Sequence, residues 1–392
     1  MPAALFFILM GLYVRDEMIH ITLLNMVEEN SGYSRFYILG MMFFGLYYVL
    51  QARSVRPKMM LPKVGHVFNA FIIITYFLSV FPLFDTRFAL LSDYIARLLP
   101  IVALYISYHL FQTVNDKEKV LICLFVYAVF LVYYYIKTYN QRLFLSVTDV
   151  TVDSSVYSLL FLLPLLLCSK YKLLKIMALS VIGVLIIISA KRGAFIAYFL
   201  GVVVYLLVKY IRIYNLKFRS IVFVGLLLWA MVKGLDYLQT KESFFLFSRF
   251  EGIENYGYGD RGDIYPKVLR MIFSSDIIGV IIGHGYNSVI KDLGMGYSAH
   301  NDLLEIWYDF GLVGLISYLI LWYNILKVGL NMMRNKSIYA APYFLMVSIF
   351  IVNSMVSHIF LFNQYLLMFS VILGSLWGLF YRERREQLYL IE

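Results

Sequence analysis

Residues 283–330 read GHGYNSVIKDLGMGYSAHNDLLEIWYDFGLVGLISYLILWYNILKVGL. A polar stretch punctuated by glycines ends on His300-Asn301. The chain then enters an apolar run, 301–330, longer than the roughly 20 residues that cross a hydrocarbon core. Just upstream the same polar region contains GDRGDIYPKVLRMI at 259–272. Ionisable groups gathered where a loop meets a bilayer are costly unless they act on something, so the segment 261–314 is the first place to look for function.

Working outward, composition sets the class. Of 392 residues 61% are hydrophobic and 15% charged, with mean hydropathy +0.77, which describes an integral membrane protein rather than a soluble globule. Twelve apolar runs qualify as spans, at 1–14, 33–51, 66–84, 91–113, 118–137, 155–169, 171–190, 192–210, 219–238, 301–330, 338–359 and 360–381. The expected fold class is all-α, a polytopic membrane protein of about twelve transmembrane helices. Leu5, Phe6 and Phe7 come with no basic n-region and no small-residue cleavage motif, so the first run reads as a short span rather than a removed signal peptide. The first turns of 301–330 are expected to project to the loop side. Cys123 and Cys168 sit inside apolar runs and read as small buried hydrophobes.

Basic residues orient the spans. Eighteen Lys and Arg fall in the loops of one side, whereas the short loops of the other hold seven, Arg15, Arg35, Arg87, Lys137, Arg142, Lys191 and Arg192. Both termini are then cytoplasmic and the long loop near 239–300 lies outside. The net charge of +10 follows from this asymmetry and from anionic inner-leaflet lipid; it calls for no nucleic acid. No internal repeat or low-complexity linker divides the chain, so 1–392 reads as a single transmembrane domain with 239–300 as an inserted loop. Within that loop Asp263-Ile264-Tyr265-Pro266 has the form of a helix start. Val268, Leu269, Ile272 and Phe273 follow at helical spacing, as in a helix lying on the membrane surface. Gly279, Gly283 and Gly285 then break the pattern into turns or a re-entrant segment.

Several residues carry candidate chemistry. Lys191 and Arg192 stand at a tight hairpin between two spans, on the side where basic residues are scarce. Arg192 also opens a helix, whose exposed N–H groups favour an anion. Interfacial snorkelling is the plainer reading of such a pair. Arg261, in Gly259-Asp260-Arg261-Gly262-Asp263, offers a guanidinium fork that matches phosphate oxygens, or simply pairs with its aspartate neighbours in a solvated turn. Arg97 falls within a span and faces either Asp93, four residues earlier on the same helix face, or a substrate anion. His300 is placed to take a proton from a hydroxyl nucleophile. Asn301 is positioned to orient a substrate or a neighbouring carbonyl, and Glu305, just over one helical turn on, to orient His300 or replace it. Gly283 and Gly285 flank His284, where missing side chains let a ligand approach the backbone. No HExxH, paired Asp-x-Asp or Cys/His spacing points to a metal, and no Walker-type loop or GxSxG elbow occurs. No cofactor is expected.

Three pieces occur in order: Ser189-Ala190-Lys191-Arg192-Gly193-Ala194 at a span boundary, Arg261 with a following aromatic helix, then Gly283-His284-Gly285 and His300-Asn301-x3-Glu305-x5-Gly311-x2-Gly314. Together they resemble the O-antigen polymerase/ligase superfamily of bacterial envelopes, and among its members a Wzy-type O-antigen polymerase. The resemblance covers the second half of the chain. It implies a GT-C-like membrane glycosyltransferase, inverting and metal-independent, in the bacterial inner membrane with its active site periplasmic. Its donor would be an oligosaccharide on undecaprenyl diphosphate, polymerised into O-antigen or capsular polysaccharide, with a chain-length regulator as a further partner. Arg192 and Arg261 would bind the diphosphate and stabilise its leaving charge, and His300 would take the acceptor proton. Where the family often has tryptophan after the loop arginine, this chain has Tyr265. The alternatives are an O-antigen ligase moving glycan to lipid A-core, and a transporter or flippase of lipid-linked sugars. A transporter usually shows two related halves and short loops, unlike the single late polar loop here. The compact, aromatic-rich chain (34 Tyr, 32 Phe) leans the reading towards a polymerase.

Overall fold

A computed structural model describes residues 2–23, 33–55, 61–80, 95–114, 117–145, 154–189, 191–214, 260–293, 298–357, 359–360 and 362–389. Among the described residues every regular element is a helix and there is no strand. The helices are α1 (Pro2–Leu23), α2 (Tyr33–Val55), α3 (Lys63–Val80), α4 (Leu99–Thr113), α5 (Lys117–Leu145), α6 (Val156–Leu166), α7 (Lys172–Ile188), α8 (Arg192–Tyr214), α9 (Asp260–Ser274), α10 (Ile277–Ile282), α11 (Ser288–Asp292), α12 (Asp302–Arg334), α13 (Ala340–Val356) and α14 (Asn363–Tyr389). Four of them are long and apolar enough to cross a membrane, over Lys117–Asn140, Arg192–Tyr210, Asp302–Arg334 and Asn363–Gln387; shorter apolar helices lie at Pro2–Arg15, Lys63–Ser79, Val156–Leu166 and Ala340–Val356. All-helical among the described residues, the protein is a multi-pass membrane protein. The apolar run 219–238 lies outside the described residues. The run 91–113 forms its continuous helix only from Leu99, after a turn at Arg97-Leu98, with proline in the first turn of the helix proper.

α14 is the central helix, buried throughout 364–380. It packs against α4 and α6. A Cβ on Gly374 would stand 2.5 Å from the Leu104 carbonyl oxygen, and one on Gly378 2.5 Å from that of Tyr108. Contacts that advance together along both chains make α4 and α14 parallel, and small residues four apart let the two backbones touch, the usual means of tight packing in a bilayer. Around this pair the aromatic side chains interlock. Phe161 stacks on Phe350 at 4.5 Å, Phe350 meets Phe369 at 4.6 Å, and Tyr318 meets Phe360 at 4.9 Å between ring centres. Much of the aromatic richness is thus spent on packing, so it gives no ground for choosing a polymerase over a ligase.

α5 and α7 turn apolar rows outward, among them Val126, Val129, Leu173 and Val184, as lipid-facing helices do. Cys123, expected to be buried, lies on the exposed side of α5, where bilayer rather than protein satisfies an apolar position; Cys168 is partly buried. A second, smaller core forms where α9 and α11 cover the start of α12: Ile264, Val268, Ile272, Val289, Ala299 and Tyr308 are buried together. Val268 and Ile272 therefore face protein, not the membrane surface, whereas Phe273 is 73% exposed and continues into exposed Ile277, Ile278, Ile281 and Ile282 on α10.

Candidate functional site

α12 anchors the site. Asn301, in extended conformation, caps it: its Oδ1 accepts from the Leu303 N–H at 3.0 Å and the Leu304 N–H at 3.3 Å. That side chain is committed to holding the helix start. The helix is kinked at Gly311, φ 61° and ψ −165°, so residues 302–310 form a separate segment against which α9, α10 and α11 pack. The buried Asp302 carboxylate accepts from the Ile359 N–H at 3.1 and 3.2 Å, tying the start of α12 to the segment after α13.

Gly283 crosses the kink backbone to backbone. A Cβ there would overlap the Asp309 carbonyl, and one on Gly311 would overlap that of Ile281. The His284 N–H donates to Tyr308 O at 3.1 Å, and the Gly285 N–H to Asp309 O at 2.8 Å. The buried Asp309 carboxylate accepts from the Asn287 N–H at 2.9 Å and the Val289 N–H at 3.1 Å. At Gly283 the close approach expected of a ligand is made by the chain's own helix, a contact between segments that local sequence does not reveal. Gly285 differs: φ is +95° and the nearest atom to an added Cβ is Ser288 Oγ at 3.9 Å. Gly283→Ala is therefore expected to cost about 3 kcal/mol or more through overlap added to strain, and Gly285→Ala only about 1 kcal/mol. Melting temperatures of the two variants in detergent check this; equal shifts would remove the crossing from the account.

His300 itself is left-handed, φ 53°. A non-glycine residue held there costs of order 1 kcal/mol or more and persists only where its surroundings impose it, a pattern concentrated at functional sites. Two side chains from the site's own elements lie against its backbone. The single Tyr265 hydroxyl proton is shared between the His300 carbonyl at 3.5 Å and that of Met355 at 3.3 Å. The fully buried Glu305 carboxylate lies against the N–H groups of Ala299 and His300 and the Ser298 hydroxyl. Glu305 thus meets His300 through the backbone. His284 is a packing residue, stacked on Tyr308 at 4.4 Å between ring centres, with Nε2 2.8 Å from Ser275 Oγ; burial pushes its imidazole below the ordinary value, against the opposing pull of Asp292 and Asp276.

The other cations reach the same end of the bundle. Gly193 sits where α8 starts between α6 and the end of α13: a Cβ there would stand 2.6 Å from Tyr157 Oη and 3.0 Å from a methyl of Val356. Met355, next to Val356, is the residue whose carbonyl Tyr265 holds. Arg192 and His300 are therefore linked through the end of α13 and Tyr265. Lys191 Nζ lies 5.9 Å over the Tyr157 ring. Arg261 opens α9 one turn before Tyr265; its side chain lies outside the described residues, as does Asp93. Arg97 is the surprise. Its guanidinium stacks 3.6 Å over the ring of Tyr286, and 5.4 Å from that of Phe310. It is 4% exposed, and among the described residues its Nε and Nη2 have no hydrogen-bond partner.

Sequence reasoning passed over Asp302, Asp309 and Tyr286. The two carboxylates carried a usable signal, since acidic residues inside an apolar run are rare; Tyr286, among 34 tyrosines, carried none. Among the described residues no three His, Cys, Asp or Glu side chains converge in a metal-binding group.

A helical multi-pass membrane protein with cations and a strained histidine gathered at one end of its bundle is the class these observations define. Residues 176–319 match the family model described as O-Antigen ligase. The match runs from α7 into α12, contains Lys191, Arg192, Arg261 and His300, and supports the O-antigen polymerase/ligase superfamily. It implies glycosyl transfer in general, from a lipid-linked glycan in a membrane. No curated protein matches the chain.

Proposed function

We propose that the protein is an inverting, metal-independent glycosyltransferase that polymerises undecaprenyl-diphosphate-linked oligosaccharide repeat units into O-antigen or capsular polysaccharide. The observation that carries the reading is the placing of Arg97, Arg192 and His300 at one end of the bundle, within or packed upon the segment matched to the superfamily. The acceptor hydroxyl oxygen attacks the anomeric carbon of the donor as the bond to the diphosphate breaks. The diphosphate leaves with the electron pair, and the acceptor proton passes to His300. Arg192 and Arg261 stabilise the charge that grows on the leaving group, typically the largest catalytic contribution. Lys191 and Arg97 add to the anion site, while Tyr265, Asn301, Glu305, Gly283 and Gly285 shape and hold the loop around it.

The basic-residue asymmetry supports a twelve-span, GT-C-like domain with both termini cytoplasmic, this end periplasmic and 239–300 as its inserted loop. The exposed row from Phe273 to Ile282 then rests in the outer interface. Elongation by a polymerase brings in a chain-length regulator as partner. An O-antigen ligase, using lipid A-core as acceptor, is the second reading, since the family match is common to both.

Purified protein reconstituted with lipid-linked repeat units should lengthen them with no membrane gradient. Transfer only to lipid A-core would establish the ligase, and no new glycosidic bond with either acceptor would remove the enzyme reading. Arg192→Lys keeps the charge but loses the fork, and should lower turnover about 10- to 100-fold. Full activity in that variant would reduce Arg192 to an interfacial anchor.

A further inference from the structure

At the end of the bundle opposite His300, a cavity of about 560 Å³ opens among the start of α5, the α6–α7 turn, the ends of α8 and α14, and the α12–α13 connection. Arg192 and Lys209 mark opposite ends of α8, about 25 Å apart along its axis, so this hollow is separate from the site above. Five cations line it: Lys117, Lys170, Lys175, Lys209 and Arg382. Its two carboxylates are already engaged. Glu118 accepts from Ser169 Oγ at 3.1 Å and from the Lys170 N–H at 3.2 Å, and Glu386 pairs with Arg382 Nε at 2.6 Å. Among the described residues none of the four lysines forms an ion pair. Lys117 Nζ donates to Tyr339 Oη at 2.7 Å, and Lys209 Nζ lies 5.9 Å over the Tyr205 ring.

Lysines held around one hollow repel one another until an anion joins them, and phosphate oxygens accept from several ammonium groups at once. The surroundings say what carries the phosphate. Beginning beside Lys175, α7 turns Leu173, Ile176, Met177, Val181 and Val184 outward, each at least 42% exposed, as an apolar row leading away from the cavity. A cationic hollow with an apolar stripe running from it matches an amphiphile, with a charged head and chains long enough to follow a helix. A free phosphate would use the hollow alone, whereas a lipid in the bilayer that this stripe faces reaches both.

We propose that this cavity binds the headgroup phosphate of an anionic phospholipid, whose acyl chains lie along the outer face of α7. It is a lipid site on the basic-rich side, separate from the donor site and independent of which glycan the protein transfers.

The test uses the full chain purified in mild detergent, with native mass spectrometry against equal amounts of phosphatidylglycerol and phosphatidylethanolamine, and melting curves with each lipid or with inorganic phosphate. Phosphatidylglycerol should be retained at least about fivefold over phosphatidylethanolamine and raise the melting temperature. Lys175→Gln combined with Lys209→Gln should lower its retention by about fivefold or more, while Lys172→Gln, a basic neighbour outside the cavity, leaves it unchanged. Lys209→Gln alone, at an exposed helical position, should show a smaller loss and covers a double variant that fails to fold. Unchanged phosphatidylglycerol retention in the cavity variants, or equal retention of phosphatidylethanolamine, would overturn the proposal. So would a stabilisation by inorganic phosphate that equals the lipid's and vanishes in the same variants, which would mark a free-anion site.

Discussion

His300→Ala is expected to slow glycosidic bond formation by about 10²–10⁴-fold, the usual contribution of a positioned general base, while membrane insertion stays intact. The expectation rests on where the imidazole is attached. Its backbone is left-handed at φ 53°, its carbonyl lies 3.5 Å from Tyr265 Oη, and the buried Glu305 carboxyl lies against its N–H. Two residues spent on fixing one strained backbone position make sense where a side chain must be aimed. Alanine at that φ carries its own strain, so His300→Asn is the sharper control: asparagine tolerates the left-handed region but supplies no base in the relevant pH range. Both variants should share the catalytic defect, and the asparagine variant should melt near the wild type. Polymer ladders of wild-type length from His300→Asn would take the histidine out of the chemistry. Tyr265→Phe is the companion, expected to act through position, with a smaller loss of rate.

The helical plan was legible because hydrocarbon leaves a polar backbone few options. Apolar runs of adequate length become helices: the runs 33–51, 192–210 and 360–381 emerge as Tyr33–Val55, Arg192–Tyr214 and Asn363–Tyr389, starting within three residues of where drawn and ending later. What stayed hidden depends on contacts between distant segments. Nothing local to Gly283 says that it crosses a kink at Gly311. Nothing local to Cys123 says that its helix face looks outward. Asn301 before an apolar run was a readable cap signal, yet its neighbour His300 drew it into the chemistry instead. The cations were easier to find than to place: charge scarcity on one side singled out Lys191 and Arg192, but only packing at Gly193 brings them to the end of α13 that Tyr265 holds.

Arg97 separates a structural role from a binding role by the sign of its effect on stability. A guanidinium 4% exposed has lost most of its hydration, a cost of several kcal/mol. Stacking on Tyr286 returns roughly 1–2 kcal/mol, and among the described residues Nε and Nη2 find no acceptor. The charge of Asp309 acts on it across the loop, but that carboxylate already serves Asn287 and Val289. On the proposed binding role, the protein keeps a group that makes it less stable than it need be, and an anion arriving during turnover would supply what is missing. Arg97→Met is accordingly expected to leave the melting temperature unchanged or raise it by a few degrees, while activity falls about 10- to 100-fold, mostly through weaker donor binding. Arg97→Lys should recover little, because a lysine can neither lie flat on the tyrosine ring nor present two donors to one phosphate. If Arg97 instead serves the fold, by pairing with Asp93, the methionine variant melts lower and its surviving fraction elongates glycan at the wild-type rate. Measuring melting temperature and donor KM on the same preparations decides between the two, since only the structural role lowers the melting temperature and only the binding role raises the donor KM.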